Sequence, residues 1–343
     1  MSTDLSASTT PAVETGVGGP ASRRRSGDDV WRWLGRYGAL AVLVGMIVIV
    51  ALMEPDTFAT KDNVINILNQ SALAAIVAMG VTFPLVAGEF DLSVGNTASL
   101  SGVVACTLME KHGFGIPEAL VLTVLIGVVI GLVNGFVVTA IGVNALVATL
   151  GIGTIVIGLN YAIAQGLPVT ITGDKANSYI DLTLGKFLGI PYPVYIMLAL
   201  GIVLWTLLNR TVAGQAMQAV GGNPVAARLS GVRVDRIRVA VFVLAGACAA
   251  LTGVLLASRT GSASVNGGDT YLLSAYAAAF FGSAVLRDGQ FHIVGTIVGV
   301  VTVAVGFNAI ALIGLGTHWQ YLFQGGLLIL GVGVGTVARR RTA

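Results

Sequence analysis

Gly88-Glu89-Phe90-Asp91-Leu92-Ser93-Val94-Gly95 is a short acidic break between two apolar runs. Ser71 to Ala87 leads into it, Leu92 to Met109 follows it, and neither run carries a charge. Apolar runs of roughly 17–25 residues have the length of a membrane-crossing helix. Two carboxylates between such runs are costly if they meet hydrocarbon, so Glu89 and Asp91 are functional candidates. A structural role is equally open. Ser93 is placed to cap the free N–H groups of a following helix, and Asp91 to sit by its positive dipole end. Glu89 is expected to be solvated at the cytoplasmic edge.

Outward from this break the chain keeps the same character. Of its 343 residues 55% are hydrophobic and only 10% charged, against roughly 25% charged in a soluble domain. So few charges cannot cover a soluble surface of this size. The 46 glycines follow no collagen period and suit helices packed through small residues. Gly127, Gly131 and Gly135 share one face of a helix, and Gly295 and Gly299 repeat the pattern. Cys106 and Cys248 lie inside apolar runs and offer neither metal spacing nor an arguable disulfide. The net charge of +3 is no nucleic-acid signal, because the arginines cluster in loops.

The fold expected is all-α, a polytopic membrane protein of about ten transmembrane helices, some short or broken. The spans fall at about 37–53, 71–87, 92–109, 118–141, 144–166, 194–208, 239–257, 273–286, 291–313 and 319–337. Residues 1–36 form a polar, disordered tail, 37–337 the membrane domain and 338–343 a basic tail. With an even span count, fourteen of the Lys and Arg residues fall on one side and five on the other. The positive-inside rule then makes both termini cytoplasmic. Thr57 to Gln70 is expected as a short interfacial helix capped by Thr60, and Leu167 to Pro193 as the longest outer loop. Ala74 to Val104 is weakly similar to Ala275 to Val301. This is either a parallel internal repeat or a chance likeness of two Gly/Ala/Val-rich helix pairs.

The second informative segment is the basic loop 209–238. Ala213 to Val220 and Pro224 to Leu229 have helical composition, interrupted by Gly221-Gly222-Asn223-Pro224, and Ser230-Gly231 ends the second piece. Pro224 suits a first helical turn. The loop reads either as an ordinary basic loop or as a helical hairpin that a soluble partner grips.

Together these segments resemble the membrane permease subunit of bacterial sugar-uptake ABC transporters of the ribose, xylose and galactose type. The likeness runs from about Thr57 to Val337. It rests on Asp91-Leu92-Ser93-Val94-Gly95, on Gly214 to Gly231 with Gly-Gly-Asn-Pro and Ala226-Ala227-Arg228, and on Ala148-Thr149-Leu150-Gly151 and Val294-Gly295-Thr296. The chain departs from the family pattern at Gly88-Glu89-Phe90 and at Leu286-Arg287-Asp288-Gly289-Gln290. The resemblance implies a protein of the bacterial inner membrane that pairs with a second permease copy. It also implies a cytoplasmic ATP-binding-cassette ATPase and an extracytoplasmic sugar-binding protein as partners. Lipid surrounds such a chain, and no nucleic acid is expected. The chain has no GxxxxGK[ST] phosphate loop, since Gly185-Lys186 runs into Phe187. It is therefore expected to be no enzyme and to bind no cofactor, with ATP and Mg held by the partner.

The residues implied in coupling to the ATPase are Gly214, Gly221, Gly222, Asn223, Pro224, Ala226, Ala227, Arg228, Gly231, Arg287 and Asp288. Asp91, Leu92, Ser93 and Gly95 form the helix break. Candidates for the substrate pathway are Asn134, Asn160, Tyr161, Phe280, Phe307 and Asn308, because a sugar needs amides, hydroxyls and some aromatic surface. Each intramembrane Asn has the alternative of bonding a neighbouring helix, and each aromatic of facing lipid or core. His112, His292 and His318 have no matching partners for metal or acid–base chemistry. A competing class is an ion-coupled secondary transporter using Glu89 or Asp91, but such carriers place further ionisable groups inside their spans, and this chain has almost none.

Overall fold

The computed structural model describes residues 26–284 and 289–342. Arg287 and Asp288, the arginines at 23–25 and most of the polar N-terminal tail lie outside the described residues. The first helix, α1 (Ser26–Met53), reaches back into the part expected as tail.

The helix α3 (Lys61–Val86) forms the axis of the bundle. It begins after a single-turn helix, α2 (Pro55–Phe58). Thr60 caps it, its hydroxyl oxygen accepting from the Asn63 N–H at 3.2 Å. No separate interfacial helix covers Thr57 to Gln70. The cap is where it was expected, but the helix it starts continues into the apolar run, because nothing between Asn69 and Ala72 breaks the turn pattern. From Ser71 to Leu85 the helix is buried almost throughout, with only Ala74 partly exposed. It packs against α8 (Tyr192–Arg210), α11 (Val234–Thr260), α12 (Asp269–Ser283) and α13 (Ile293–Leu312).

The helix α4 (Val94–Lys111) follows the break, and α5 (Ile116–Phe136) runs on through a π-helical turn, Val137–Ile141. Then come α6 (Ala145–Ala164), α7 (Asp174–Leu184) and, after α8, the hairpin α9 (Val212–Gly222) and α10 (Pro224–Leu229). The last helix is α14 (Thr317–Thr342). Each expected span falls on a helix. Among the described residues, six of these helices, or helical stretches, are long and apolar enough to cross a membrane by length and composition: Lys61–Val86, Ile116–Ile141, Ala145–Ala164, Tyr192–Arg210, Val234–Thr260 and Ile293–Leu312.

The glycine stripe of α5 explains its tightest contact. A Cβ at Gly127 would fall on the Gly246 carbonyl of α11, one at Gly131 on the Phe242 carbonyl, and one at Gly135 would sit 2.7 Å from the Val239 Cα. The backbones of α5 and α11 thus touch, as small residues allow. The same logic joins α12 to α13, where Gly295 faces the Gly282 carbonyl and Gly299 that of Ala278. On the other side of α5, Val121, Leu125, Val129, Leu132 and Phe136 are exposed, as a lipid-facing surface requires. Gly131→Leu should part α5 from α11 and destabilise the fold by roughly 1–3 kcal/mol. Gly151→Leu, which meets open space, should leave the melting midpoint in detergent unchanged.

After α11 the chain turns back into the bundle. Val169–Thr170 pairs antiparallel with Ser262–Ala263, and the Gly268 N–H donates to Ser99 Oγ on α4 at 2.8 Å. The helix α12 therefore starts beside the first turns of α4. Its 15 residues span about 22 Å, less than the roughly 30 Å hydrocarbon core.

Candidate functional site

Asp91 is fully buried between α3 and α4. Its Oδ1 accepts from the Ser93 hydroxyl at 2.6 Å and from the Ser93 N–H at 3.0 Å. The Ser93 Oγ in turn accepts from Asn134 Nδ2 on α5 at 2.8 Å. Ser93 holds the cap position of α4 but makes no side-chain cap bond. The expected cap is thus corrected: the carboxylate two residues earlier ties down the entry to the helix, and the serine passes that tie on to α5. Backbone groups of the break are satisfied from other helices. The Asp91 N–H donates to Tyr276 Oη at 2.9 Å, that hydroxyl lies 3.0 Å from the Asp91 carbonyl, and the Leu92 N–H donates to Thr149 Oγ1 at 3.1 Å. Four helices, α4, α5, α6 and α12, therefore meet at one non-helical dipeptide. Phe90 adds an apolar lid, its ring 6.0 Å from Tyr276 and 6.3 Å from Phe280. Gly95, one turn on, lies close against α12, where a Cβ would come 3.1 Å from the Leu272 Cβ and 3.3 Å from the Gly268 carbonyl oxygen, so a larger residue needs its neighbours to give by a few tenths of an ångström.

Glu89 is only partly exposed rather than free in solvent. Its side chain is 12% exposed and its Oε1 stands 2.8 Å from Arg238 Nε on the first turns of α11. Burial pushes its carboxyl above the ordinary range and Arg238 pulls it partly back. Glu89 therefore protonates at a higher pH than a free carboxylate, and acid loosens this pair early. A double-mutant cycle of Glu89→Ala and Arg238→Ala should give a coupling of about 1 kcal/mol at neutral pH, falling as the pH is lowered.

The α9–α10 hairpin touches this break directly. Gly221 lies on the Val86 carbonyl so closely that a Cβ would overlap it, and the Gly221 Cα would be 3.8 Å from a Cβ at Gly88. Gly88 itself has φ +79°, the left-handed region that glycine adopts without strain. Gly214 sits as tightly on the Leu207 and Leu208 carbonyls, whereas Gly222 meets open space. Both Gly221 and Gly222 belong to the last turn of α9, so the interruption expected over four residues narrows to Asn223. Asn223 caps α10, its Oδ1 accepting from the Val225 and Ala226 N–H groups at 3.0 Å each. Pro224 opens that helix, and Gly231 at φ +85° follows it. Ala227 is buried, while Val225 and Leu229 are 68% and 84% exposed and Arg228 pairs at 2.9 Å with exposed Asp235.

The pathway candidates divide. Asn134 belongs to the Asp91 network. Asn160 is buried and donates to the Val265 carbonyl at 2.8 Å, and Asn308 exchanges amide bonds with Asn63 at 2.7 and 3.0 Å. Tyr161 is 49% exposed on the outside of α6. Phe280 stacks in the aromatic cluster over the break, 5.2 Å from Phe291. Phe307 lines a cavity of ≈ 240 Å³ between α3, α11, α12 and α13, together with Gln70, Arg259, Thr270, Tyr271 and Ser274. The sequence reading missed these five polar residues. The available signal was a cation, Arg259, at the end of an apolar run. His292, given no role, caps α13 by accepting from the Gly295 N–H at 2.9 Å.

Four helix elements thus converge at the break, which backbone contact joins to a helical hairpin. Residues 63–332 match the model of the family described as branched-chain amino acid transport system / permease component. The chain belongs to this permease family. Ribose import permease protein RbsC of Haemophilus influenzae is 34% identical over 308 residues, covering 89% of this chain and 94% of that protein. L-arabinose ABC transporter permease protein AraH of Azospirillum brasilense is 35% identical over 324 residues, covering 94% and 93%. Galactose/methyl galactoside import permease protein MglC of Salmonella typhimurium is 35% identical over 329 residues, covering 90% and 96%. No solved structure matches the chain. The permease is thus a multi-pass membrane transport subunit.

Proposed function

We propose that this permease forms the translocation pathway of an ATP-binding-cassette importer for a monosaccharide or related polyol. A separate cytoplasmic ATPase energises it, and an extracytoplasmic binding protein delivers the sugar. The topology is ten crossings with both termini cytoplasmic, which puts the α9–α10 hairpin at the ATPase. A second copy completes the pathway. The observation that carries this reading is the hairpin itself. Val225 and Leu229 stand exposed on its far side, and on its near side Gly221 rests against the turn that leads into Glu89 and Asp91. A partner gripping α10 would thereby act on the break within a few residues. In this reading Gly214, Gly221 and Ala227 hold the hairpin to the membrane part, and Gly222, Asn223, Pro224, Ala226, Arg228 and Gly231 shape its partner-facing side.

The test is reconstitution in proteoliposomes with the cognate ATPase and a sugar-loaded binding protein. ATP hydrolysis should rise several-fold when the loaded binding protein is added. Failure of the ATPase to associate, with uptake continuing in the absence of ATP, would overturn the importer reading.

A further inference from the structure

The cavity between α3, α11, α12 and α13 has an unbalanced charge. Arg259, in the last turn of α11, is half-buried there and makes no ion pair or hydrogen bond with any described residue. The other polar groups on the wall are all neutral: Gln70, Thr270, Tyr271 and Ser274. Several of them are already oriented. Ser274 Oγ donates to the Thr270 carbonyl at 2.9 Å and accepts from Gln324 Nε2 at 3.0 Å, which leaves it one lone pair to accept a ligand hydroxyl, and Gln70 Nε2 donates to Asn66 Oδ1 at 3.1 Å, which leaves its carbonyl oxygen to accept. Phe307 adds an aromatic face. At ≈ 240 Å³ the space falls below the roughly 300–1,000 Å³ of drug-sized sites, a volume for one sugar ring or open chain rather than an oligosaccharide.

A guanidinium stays charged at any physiological pH and presents a planar fork of donors. A neutral polyol would fill the hydroxyl-binding wall but leave that charge uncompensated. A carboxylate meets the fork with two parallel hydrogen bonds. We propose that this cavity is a substrate subsite that selects sugar acids, with Arg259 binding the carboxylate and Gln70, Thr270 and Ser274 binding hydroxyls. The proposal rests on the importer reading and names its substrate class.

The permease is embedded in nanodiscs and equilibrium binding is measured at 0.15 M salt for matched pairs that exchange a carboxylate for CH₂OH. The pairs are galacturonate against galactose, gluconate against glucitol, and ribonate against ribitol. At least one acid should bind about tenfold or more tightly than its neutral partner, the scale of one charge-assisted contact. Arg259→Gln should abolish that preference. Ser274→Asp should abolish it too, by setting a carboxylate on the same wall, and this variant keeps Arg259 in place. Gel filtration and circular dichroism establish that both variants fold. No preference in any pair, or a preference that survives in both folded variants, overturns the proposal. ATPase association, scored on the same preparations, separates that result from failure of the importer reading.

Discussion

Gly221→Ala should uncouple the hairpin from the membrane part, while the larger change at the next residue, Gly222→Trp, should leave the fold intact. The two glycines are adjacent, yet a Cβ at Gly221 would land on the Val86 carbonyl whereas one at Gly222 meets open space. Neither backbone can yield cheaply, since Val86 ends a buried helix and α9 is anchored at its other end by Gly214 against α8. Overpacking of this kind costs roughly 1–3 kcal/mol. In Gly221→Ala the ATPase should still bind, but stimulation of hydrolysis by the loaded binding protein should fall to near the basal rate. In Gly222→Trp the indole projects toward the proposed partner, so association itself should be lost while the purified permease melts as the wild type does. The reverse pattern would place the contact surface on the wrong side of α9.

Asp91→Ala should be among the most damaging single changes in the chain, and Asp91→Asn among the most tolerated at a buried carboxylate. Removing the side chain leaves the Ser93 N–H and hydroxyl without their acceptor inside the protein. Each buried unsatisfied group costs about 1–3 kcal/mol, and the tie from Ser93 to Asn134 loosens with them. A total of roughly 3 kcal/mol or more should appear as a lowered melting midpoint and loss of uptake. The asparagine keeps an oxygen at the position of Oδ1 and adds an amide donor. Both Asp91 Oδ2 and Asn134 Oδ1 are buried acceptors without a hydrogen-bond donor, so a donor is what this place lacks. ATP-driven uptake should therefore survive in Asp91→Asn. Folded but inactive Asp91→Asn protein would mean that the negative charge itself is required, as in ion-coupled transport.

What the sequence made legible follows from where the physics is local. The apolar runs located the helices, because a chain in lipid satisfies its backbone within each segment. The glycine spacing on α5 and α13 predicted backbone contact, since period four on a helix defines a face. Thr60, Pro224 and the Gly231 stop were readable from cap and turn chemistry. What failed needed partners distant in sequence. Glu89 looked solvated because Arg238 lies far along the chain. Ser93 looked like a cap because Asn134, whose amide joins the Ser93–Asp91 pair, lies far along the chain. The pathway asparagines are individually indistinguishable in sequence, yet Asn308 pairs with Asn63, Asn160 holds a carbonyl and Asn134 serves the break. Phe307 alone among those six candidates lines the cavity, and its companions Arg259, Tyr271 and Ser274 converge only when α11, α12 and α13 assemble.

The glycine seam between α5 and α11 has a mechanical consequence. Two helices whose main chains touch along three successive turns have no cushion of side chains to shear, so they swing as one beam. That beam, with α11 of 27 residues at about 1.5 Å each, is some 40 Å long. Arg238 sits near one tip, bolted to Glu89, and Arg259 near the other, facing the cavity. A push on the Glu89–Arg238 pair would thus reach the Arg259 end through the main chain of one rigid body, with no signal relayed from side chain to side chain.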